Sequence, residues 1–269
     1  MLINILIPLL ILGVLGVLFG VLLGFASKKF AVPQDPLFPK LRDALPGANC
    51  GGCGYAGCDA YAKAVAAGEA PVGKCPVGGA SVTEAMSAIM GVSAEEGERL
   101  IAYVCCSGTS ETAPDHFAYQ GIESCDEATL IPGGGPKACA YGCLGFGSCV
   151  KACPFDAIHV ENGVARVDEE KCKACGACVS ACPKKIIRLI PAEAAVRPSC
   201  SNKERGKDVK DVCQVGCIGC GLCMRACEAG AIQMKDQLPQ IDYALCTGCG
   251  ACAAKCPVHI IHCLNVKEM

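Results

Sequence analysis

Cysteine spacing constrains this chain more strongly than any other feature of its sequence. The 269 residues include 26 cysteines, and three runs, at 172–182, 217–227 and 246–256, share the spacing C-x2-C-x2-C-x3-C. That spacing presents successive thiolates to one iron–sulfur cluster. A disulfide scaffold is the usual interpretation of so many cysteines in a short secreted chain. Here the runs favour metal ligation, and three of them in one chain favour iron–sulfur clusters over structural zinc.

Two copies of one unit occupy residues 139–269. A shift of 74 residues superposes six cysteines of each copy: Cys149, Cys153, Cys172, Cys175, Cys178 and Cys182 fall on Cys223, Cys227, Cys246, Cys249, Cys252 and Cys256. A repeat of this kind indicates a duplicated structural unit. We therefore expect two similar domains in tandem, each with two cysteine runs.

A separate group of four cysteines precedes the repeat: Cys50, Cys53, Cys58 and Cys75. Neighbouring glycines let backbone amides approach the sulfur atoms and tune the potential of a bound cluster. Four thiolates without a histidine suit a [4Fe–4S] cluster better than a Rieske centre. A structural zinc site is the alternative at this position.

The first 27 residues contain no ionisable side chain, and apolar residues dominate from Ile5 to Phe25. Roughly 20 apolar residues span a bilayer as a helix. Lys28 and Lys29 follow, so the positive-inside rule predicts an N-terminus outside and the bulk of the chain in the cytoplasm. A cleaved signal peptide is the alternative, but the segment lacks a basic n-region and is longer than a usual h-region. We predict a single-pass anchor in the cytoplasmic (inner) membrane.

The whole pattern predicts an α+β chain with an N-terminal transmembrane helix, a small [4Fe–4S] domain and two tandem ferredoxin-like units. The expected segments are an anchor at 1–27, a linker at 28–45, the [4Fe–4S] domain at 46–80, a helical and loop connector at 81–138, the first unit at 139–190, a linker at 191–212 and the second unit at 213–269.

Two capping boxes in the connector, Ser81 with Glu84 and Ser93 with Glu96, predict two short helices. The apolar residues of 100–104 would give the second helix a buried face.

Residues 139–269 resemble the bacterial two-cluster ferredoxins, in which the fourth cysteine of each run binds the other cluster. The resemblance implies three complete ligand sets: Cys217, Cys220, Cys223 with Cys256; Cys246, Cys249, Cys252 with Cys227; and Cys172, Cys175, Cys178 with Cys153.

The fourth site of the repeat departs from this pattern, because Phe146 stands where the other copy has Cys220. Three ligands keep their places, namely Cys143, Cys149 and Cys182, and Cys139 is the nearest substitute for the missing one. A three-iron cluster and a ligand from elsewhere in the chain are the alternatives. Six further cysteines could complete this site, form another cluster or be inert buried thiols: Cys105, Cys106, Cys125, Cys200, Cys213 and Cys263. We expect five clusters, with cysteines to spare for a sixth.

The order of anchor, four-cysteine group and ferredoxin-like units resembles the RnfB family, the B components of the Rnf complexes, over essentially the whole chain. The motifs that carry the resemblance are Gly51-Gly52-Cys53-Gly54-Tyr55, Tyr141-Gly142-Cys143-Leu144-Gly145-Phe146-Gly147 and Cys153-Pro154-Phe155-Asp156-Ala157-Ile158. The resemblance implies a membrane complex that couples electron flow between reduced ferredoxin and NAD to Na+ or H+ transport. The B component would accept electrons from soluble ferredoxin and pass them to membrane and flavin-containing subunits.

The sequence itself favours a relay without a substrate-converting site. It has no G-x-G-x-x-G loop after a strand, so we expect NAD to bind elsewhere in the complex. No charged side chain interrupts the anchor, so we expect no ion path within it. The net charge of −2 argues against a nucleic-acid partner, and the four histidines are interpreted as structural or surface residues. The alternatives are a membrane-anchored polyferredoxin of a hydrogenase- or formate-linked complex, and a metal-binding assembly protein.

Overall fold

The computed structural model describes residues 2–29, 35–93 and 97–264, with side chains in the first helix at 7, 10–26 and 29. The α-helices are α1 (Leu2–Lys29), α2 (Leu37–Ala44), α3 (Cys58–Ala66), α4 (Gly79–Met90), α5 (Cys125–Ala128), α6 (Ser148–Lys151), α7 (Ala177–Ala181), α8 (Gly206–Val212), α9 (Leu222–Arg225) and α10 (Ala251–Ala254). The strands are β1 (Leu100–Val104), β2 (Ile158–Glu161), β3 (Val164–Val167), β4 (Ile187–Pro191), β5 (Val196–Pro198), β6 (Ile232–Lys235), β7 (Leu238–Ile241) and β8 (Ile261–Cys263).

The N-terminal helix α1 includes most of the predicted anchor, and its described large apolar side chains are exposed. A helix that is apolar on all sides needs an apolar environment. Within the part of the chain whose side chains are described, no helix has the length and apolarity needed to cross a membrane. The single-pass anchor at 1–27 therefore stays a prediction.

Helices α2, α3 and α4 form a small helical lobe around the buried side chains of Leu41, Tyr61 and Met86. Helix α2 lies within 28–45, a segment predicted from the sequence to be a linker. The segment folds because Leu37, Phe38 and Leu41 share one helix face, which packs against the rest of this lobe.

Each ferredoxin-like unit contains a β-hairpin, β2–β3 in the first and β6–β7 in the second. Both two-residue turns have positive φ angles, at Asn162-Gly163 and at Asp236-Gln237. Type I′ turns of this kind match the twist of paired strands. The equivalent hairpins agree with a duplicated unit.

Each unit also has a second strand pair, and one strand of each pair comes from outside the predicted unit. Strand β1 pairs antiparallel with β4, and β5 pairs antiparallel with β8. The segment 191–212, predicted as a linker, thus supplies β5 as well as α8.

The predicted helix after Ser93 is wrong at its apolar end, because Leu100–Val104 forms strand β1. A short apolar run is compatible with a helix or a strand. Here it forms a strand because its backbone pairs with β4. The capping box at Ser93 and Glu96 lies partly outside the described residues. The other predicted helix is present as α4, although Ser81 does not cap it: its hydroxyl donates to the Gly78 carbonyl oxygen at 3.1 Å.

Candidate iron–sulfur sites

The four cysteines of the helical lobe surround one cavity of about 300 Å³: Cys50, Cys53, Cys58 and Cys75. We refer to this set as the N-terminal site. Cys58 opens α3, and its backbone N–H donates to Asn49 Oδ1 at 2.9 Å. The Tyr61 hydroxyl donates to the Pro71 carbonyl oxygen and accepts from the Lys74 N–H, at 3.0 and 3.1 Å. These bonds hold the loop that carries Cys75 against α3.

The second ferredoxin-like unit contains two sets of neighbouring thiols. The outer C-terminal site surrounds a cavity of about 290 Å³ and consists of Cys227, Cys246, Cys249 and Cys252. The inner C-terminal site consists of Cys217, Cys220, Cys223 and Cys256. Burial raises the pKa of the Cys217 thiol, and the nearby Cys256 and Cys220 thiols add to the increase. Both sets are the crossed groupings that the ferredoxin resemblance implies.

The first unit contains a matching set, the proximal site: Cys153, Cys172, Cys175 and Cys178. Burial raises the pKa of the Cys178 thiol to about 11, and the other three thiols add to this increase. Backbone N–H groups point at two of the sulfur atoms. Ala102 donates to Cys172 Sγ at 3.3 Å and Ala157 to Cys153 Sγ at 3.5 Å. Such hydrogen bonds stabilise thiolate ligands and tune cluster potential.

Four short helices that follow glycines each carry one buried thiol of the two units. Helices α6, α7, α9 and α10 each begin after a glycine with a φ angle between 66° and 78°. A left-handed conformation at that position costs glycine little. The chain can therefore reverse sharply, and the buried cysteine in each helix faces the preceding thiols.

The irregular site takes its fourth thiol from the connector, at a cysteine that belongs to no closely spaced run. A cavity of about 340 Å³ is lined by Cys125, Cys143, Cys149 and Cys182. Cys125 opens α5, and its N–H donates to Ser148 Oγ at 3.0 Å. Ser148 opens α6, which carries Cys149. This bond joins the two helices at the cavity.

Cys139, the substitute that sequence proximity favoured, lies in a different cavity. An isolated bridge between Asp115 and Lys137 holds the preceding residues beside the connector. The Gly142 N–H donates to the Cys139 carbonyl oxygen at 3.0 Å, so the chain turns between Cys139 and Cys143. That turn directs the two thiols into separate cavities. Phe146 stands at the position of the missing ligand and packs against Tyr119, with the two ring centroids 5.1 Å apart.

The cavity that contains Cys139 is lined by four thiols from separate parts of the chain. This central cavity has a volume of about 330 Å³ and is lined by Cys106, Cys139, Cys200 and Cys213. Only Cys139 among them was included in a predicted site. The spacing of cysteines in the sequence does not identify Cys106, Cys200 and Cys213 as ligands, because they belong to no closely spaced run.

Two cysteines remain outside these sets. Burial raises the pKa of the Cys105 thiol to about 11, and Cys263 is half-buried on β8. None of the four cavities is lined by a histidine. His262 contacts Ser107 Oγ at 3.1 Å through its Nε2 atom.

The thiol-lined cavities have the donors that iron–sulfur clusters require. Each is lined by four cysteines. Among the described residues, no three His, Cys, Asp or Glu side chains converge on a point that could hold a single metal ion. Burial raises the pKa of several of these thiols, among them Cys75, Cys149 and Cys252, and iron coordination would favour their thiolate forms. The donor set therefore fits [4Fe–4S] clusters.

Contacts between ligand residues connect the helical lobe with the first unit. Burial raises the pKa of the Cys175 thiol, and the nearby Cys50 thiol adds to the increase. A Cβ atom built on Gly52 would lie 2.8 Å from the Cys175 carbonyl oxygen. The N-terminal and proximal sites are therefore direct neighbours.

Three family models match this chain. The model described as "Putative Fe-S cluster" matches residues 45–77, and two models described as "4Fe-4S dicluster domain" match residues 135–183 and 216–260. These ranges contain the N-terminal site and most cysteines of the two units.

Several relatives match most of the chain. The B component of the Na(+)-translocating ferredoxin:NAD(+) oxidoreductase complex of Acetobacterium woodii is 48% identical over 258 residues, which cover 96% of this chain and 77% of the relative. The B component of an ion-translocating oxidoreductase complex of Methanosarcina acetivorans is 42% identical, covering 92% and 94%. The B component of the proton-translocating ferredoxin:NAD(+) oxidoreductase complex of Clostridium ljungdahlii is 42% identical, covering 94% and 90%. With identity of this level over almost its whole length, the chain belongs to the RnfB family, the B components of the Rnf-type ion-translocating oxidoreductase complexes.

Proposed function

We propose that this chain relays electrons within a membrane complex that couples electron flow between reduced ferredoxin and NAD to the translocation of Na+ or H+. The observation that carries the proposal is the succession of cysteine-lined sites from the second unit to the helical lobe. An iron–sulfur cluster bound at each site would accept and release one electron at a time.

Within each unit, a thiol of one site lies close to a thiol of the neighbouring site. Burial raises the pKa of the Cys252 thiol to about 11, and the nearby Cys223 thiol of the inner C-terminal site contributes. In the first unit, burial raises the pKa of Cys149 to about 12, with Cys178 of the proximal site among the contributing thiols. The N-terminal site then adjoins the proximal site through Cys50 and Cys175. This adjacency supports transfer between the sites of each unit and from the proximal site to the N-terminal site.

The second unit offers the most accessible end of that path. Both exposed members of the 26 cysteines belong to it, Cys249 in the outer C-terminal site and Cys220 in the inner one. A cluster at the outer C-terminal site would therefore lie near the surface, where a soluble donor can approach. We infer that reduced ferredoxin docks at this end of the second unit.

The N-terminal site is the end nearest the proposed anchor. We infer that residues 1–27 hold the chain at the cytoplasmic face of the inner membrane, with the N-terminus outside. The eight steps from Lys29 to Leu37 span at most about 28 Å when extended, so the helical lobe stays close to the bilayer. Electrons would leave there for membrane and flavin-containing subunits, and NAD would bind elsewhere in the complex.

Stopped-flow reduction of the Cys249→Ala variant by ferredoxin tests this path. The variant should lose ferredoxin-driven reduction of the cluster at the N-terminal site, while dithionite still reduces that cluster. Electron paramagnetic resonance (EPR) spectra resolve which clusters are reduced. The matched control is Cys263→Ala, which removes a half-buried thiol of the same unit from outside the four cavities. Wild-type kinetics in Cys249→Ala, with the outer C-terminal cluster demonstrably absent, would show that electrons enter elsewhere.

A further inference from the structure

The central cavity is a thiol-lined site that neither ferredoxin-like unit requires. Its four cysteines follow four different structural features. Cys106 follows β1, Cys139 follows the bridge between Asp115 and Lys137, Cys200 follows β5 and Cys213 ends α8. Chain segments separated by up to 107 residues thus bring their thiols to one cavity of about 330 Å³. Each of the other three cavities is likewise lined by four thiols.

The sulfur atoms of this cavity are close to one another and are approached by hydrogen-bond donors. A single point, the Cβ position of Gly108, lies 3.4 Å from Cys213 Sγ and 3.8 Å from Cys106 Sγ. The side-chain amide of Asn202, which is 1% exposed, donates to Cys139 Sγ at 3.5 Å. A buried amide directed at a sulfur atom is the arrangement that stabilises a thiolate ligand.

A buried positive charge lies beside the same cavity. Lys137 is 6% exposed, and its Nζ atom donates to the carbonyl oxygens of Gly108 and Gly163 at 2.7 and 3.4 Å. Among the described residues, no ion pair includes Lys137. Burial raises the pKa of the Cys213 thiol, and the Lys137 ammonium opposes that increase. Buried charges need a partner of opposite sign, and a thiolate-ligated cluster is an anion.

The central cavity also lies between the two units. The Cys143 N–H, in the irregular site, donates to Cys106 Sγ at 3.5 Å. The Cys217 N–H, in the inner C-terminal site, donates to Cys200 Sγ at 3.3 Å. A ligand residue of each unit is therefore hydrogen-bonded to a sulfur atom of the cavity.

We propose that Cys106, Cys139, Cys200 and Cys213 hold a sixth [4Fe–4S] cluster, which carries electrons between the two ferredoxin-like units. The site itself stands on the geometry of the cavity, and its role as a bridge rests on the proposed relay function. One electron arrives from the inner C-terminal site and one leaves for the irregular site, so no proton or leaving group is involved. The sites then form one series from the outer C-terminal site to the N-terminal site.

The double variant Cys106→Ala/Cys213→Ala tests the site in the full-length, anaerobically purified chain. Removing two of four ligands should eliminate the cluster, so that iron and acid-labile sulfide each fall from about 24 to about 20 per chain. The matched control is Cys105→Ala/Cys263→Ala, which also removes two thiols, one of them adjacent to Cys106, and should retain about 24 of each. Unchanged iron in the first variant, or loss of one zinc in place of iron, would overturn the proposal.

Native mass spectrometry of the wild-type chain gives the cluster count without any substitution, which covers the case in which the double variant fails to fold. Six [4Fe–4S] units are expected, and five units or five plus one zinc ion would refute the sixth site. The bridging role is tested separately by reducing the double variant with ferredoxin. The outer C-terminal cluster should be reduced at the wild-type rate, and reduction of the N-terminal cluster should be lost. Six clusters in a wild-type chain that ferredoxin cannot reduce would contradict the proposed function and leave the site standing.

Discussion

Cys125 determines how the irregular site obtains four thiols. It lies 18 residues before Cys143 in the chain, at the start of α5 and outside any cysteine run. Its placement depends on Ser148, whose hydroxyl accepts the Cys125 N–H at 3.0 Å beside the helix that carries Cys149. The structure thus favours a complete four-thiol site over a three-iron site with an open position.

Alanine substitutions at Cys125 and Cys139 should therefore have separate effects. Cys125→Ala should convert the irregular-site cluster to a three-iron form or remove it, a loss of about one to four iron atoms. Cys139→Ala should leave that cluster intact, because its thiol lines the central cavity. EPR spectra with iron analysis distinguish the two. Loss of the irregular-site signal in Cys139→Ala, with an unaffected Cys125→Ala, would restore the assignment that sequence proximity suggests.

The Cys105 thiol should be unreactive near neutral pH. Burial raises its pKa to about 11, from about 8.5 in an unfolded chain. The folded state then retains a proton that the unfolded state loses, so this thiol contributes stability below about pH 8.5 that is lost as the pH rises through about 11. Alkylation of the folded chain, followed by mass spectrometry, should show a labelling rate that rises about tenfold per pH unit up to that pKa. Labelling at pH 8 as rapid as in denaturant would contradict this prediction.

At the scale of elements, the two segments between the predicted domains contribute strands to those domains. Strand β1 completes a pair with β4, and β5 completes one with β8. Because Cys106 follows β1 and Cys200 follows β5, the same pairing delivers two thiols to the central cavity. The connectors therefore position functional residues and are more than spacers.

Helix α1 gives a prediction at the same scale. Deleting residues 1–27 should release a soluble, brown, redox-active protein, because the deleted segment is the one with the length of a membrane span. Ultracentrifugation and visible absorption spectra check the result. The full-length chain, expressed in the same cells without the other proteins of the complex, is the control and should sediment with the membranes. Membrane retention of the truncated chain would contradict the proposed anchor.

At the scale of the whole molecule, the contact between the helical lobe and the first unit controls the last step of the proposed path. Gly52 fits against the backbone of Cys175 only because it lacks a side chain. A Cβ atom there would lie 2.8 Å from the Cys175 carbonyl oxygen and 2.9 Å from its Cα atom. Since backbone atoms cannot rotate away, a larger residue must separate the two domains.

Gly52→Val should therefore weaken this contact by about 1–3 kcal/mol and slow electron arrival at the N-terminal site. Reduction of clusters in both ferredoxin-like units should keep its wild-type rate in stopped-flow experiments with EPR detection. Gly97→Ala is the control, because a Cβ atom there has no neighbour within 4 Å. A wild-type rate at the N-terminal cluster in Gly52→Val would mean that electrons reach this site by another route.

The sequence by itself determined the chemistry of this protein. Closely spaced cysteines such as Cys246, Cys249 and Cys252 must lie near one another in any fold, because only two residues separate successive thiols. The 74-residue repeat likewise predicted two similar units, and the structure has an equivalent β-hairpin in each. The family resemblance based on the sequence motifs is confirmed by the relatives that match nearly the whole chain.

Only the tertiary structure decided which distant cysteines meet. Cys125 joins the irregular site, and Cys106, Cys139, Cys200 and Cys213 share the central cavity. Neither grouping follows from spacing, because each depends on where a strand pair, a turn or a hydrogen bond places the chain. Strand β1 shows the same limit, since its apolar run fits a helix or a strand until the edge of β4 is present. The spacing of cysteines determines contacts between residues a few positions apart. Contacts between cysteines about a hundred residues apart, such as Cys106 and Cys213, depend on how the strands and helices pack.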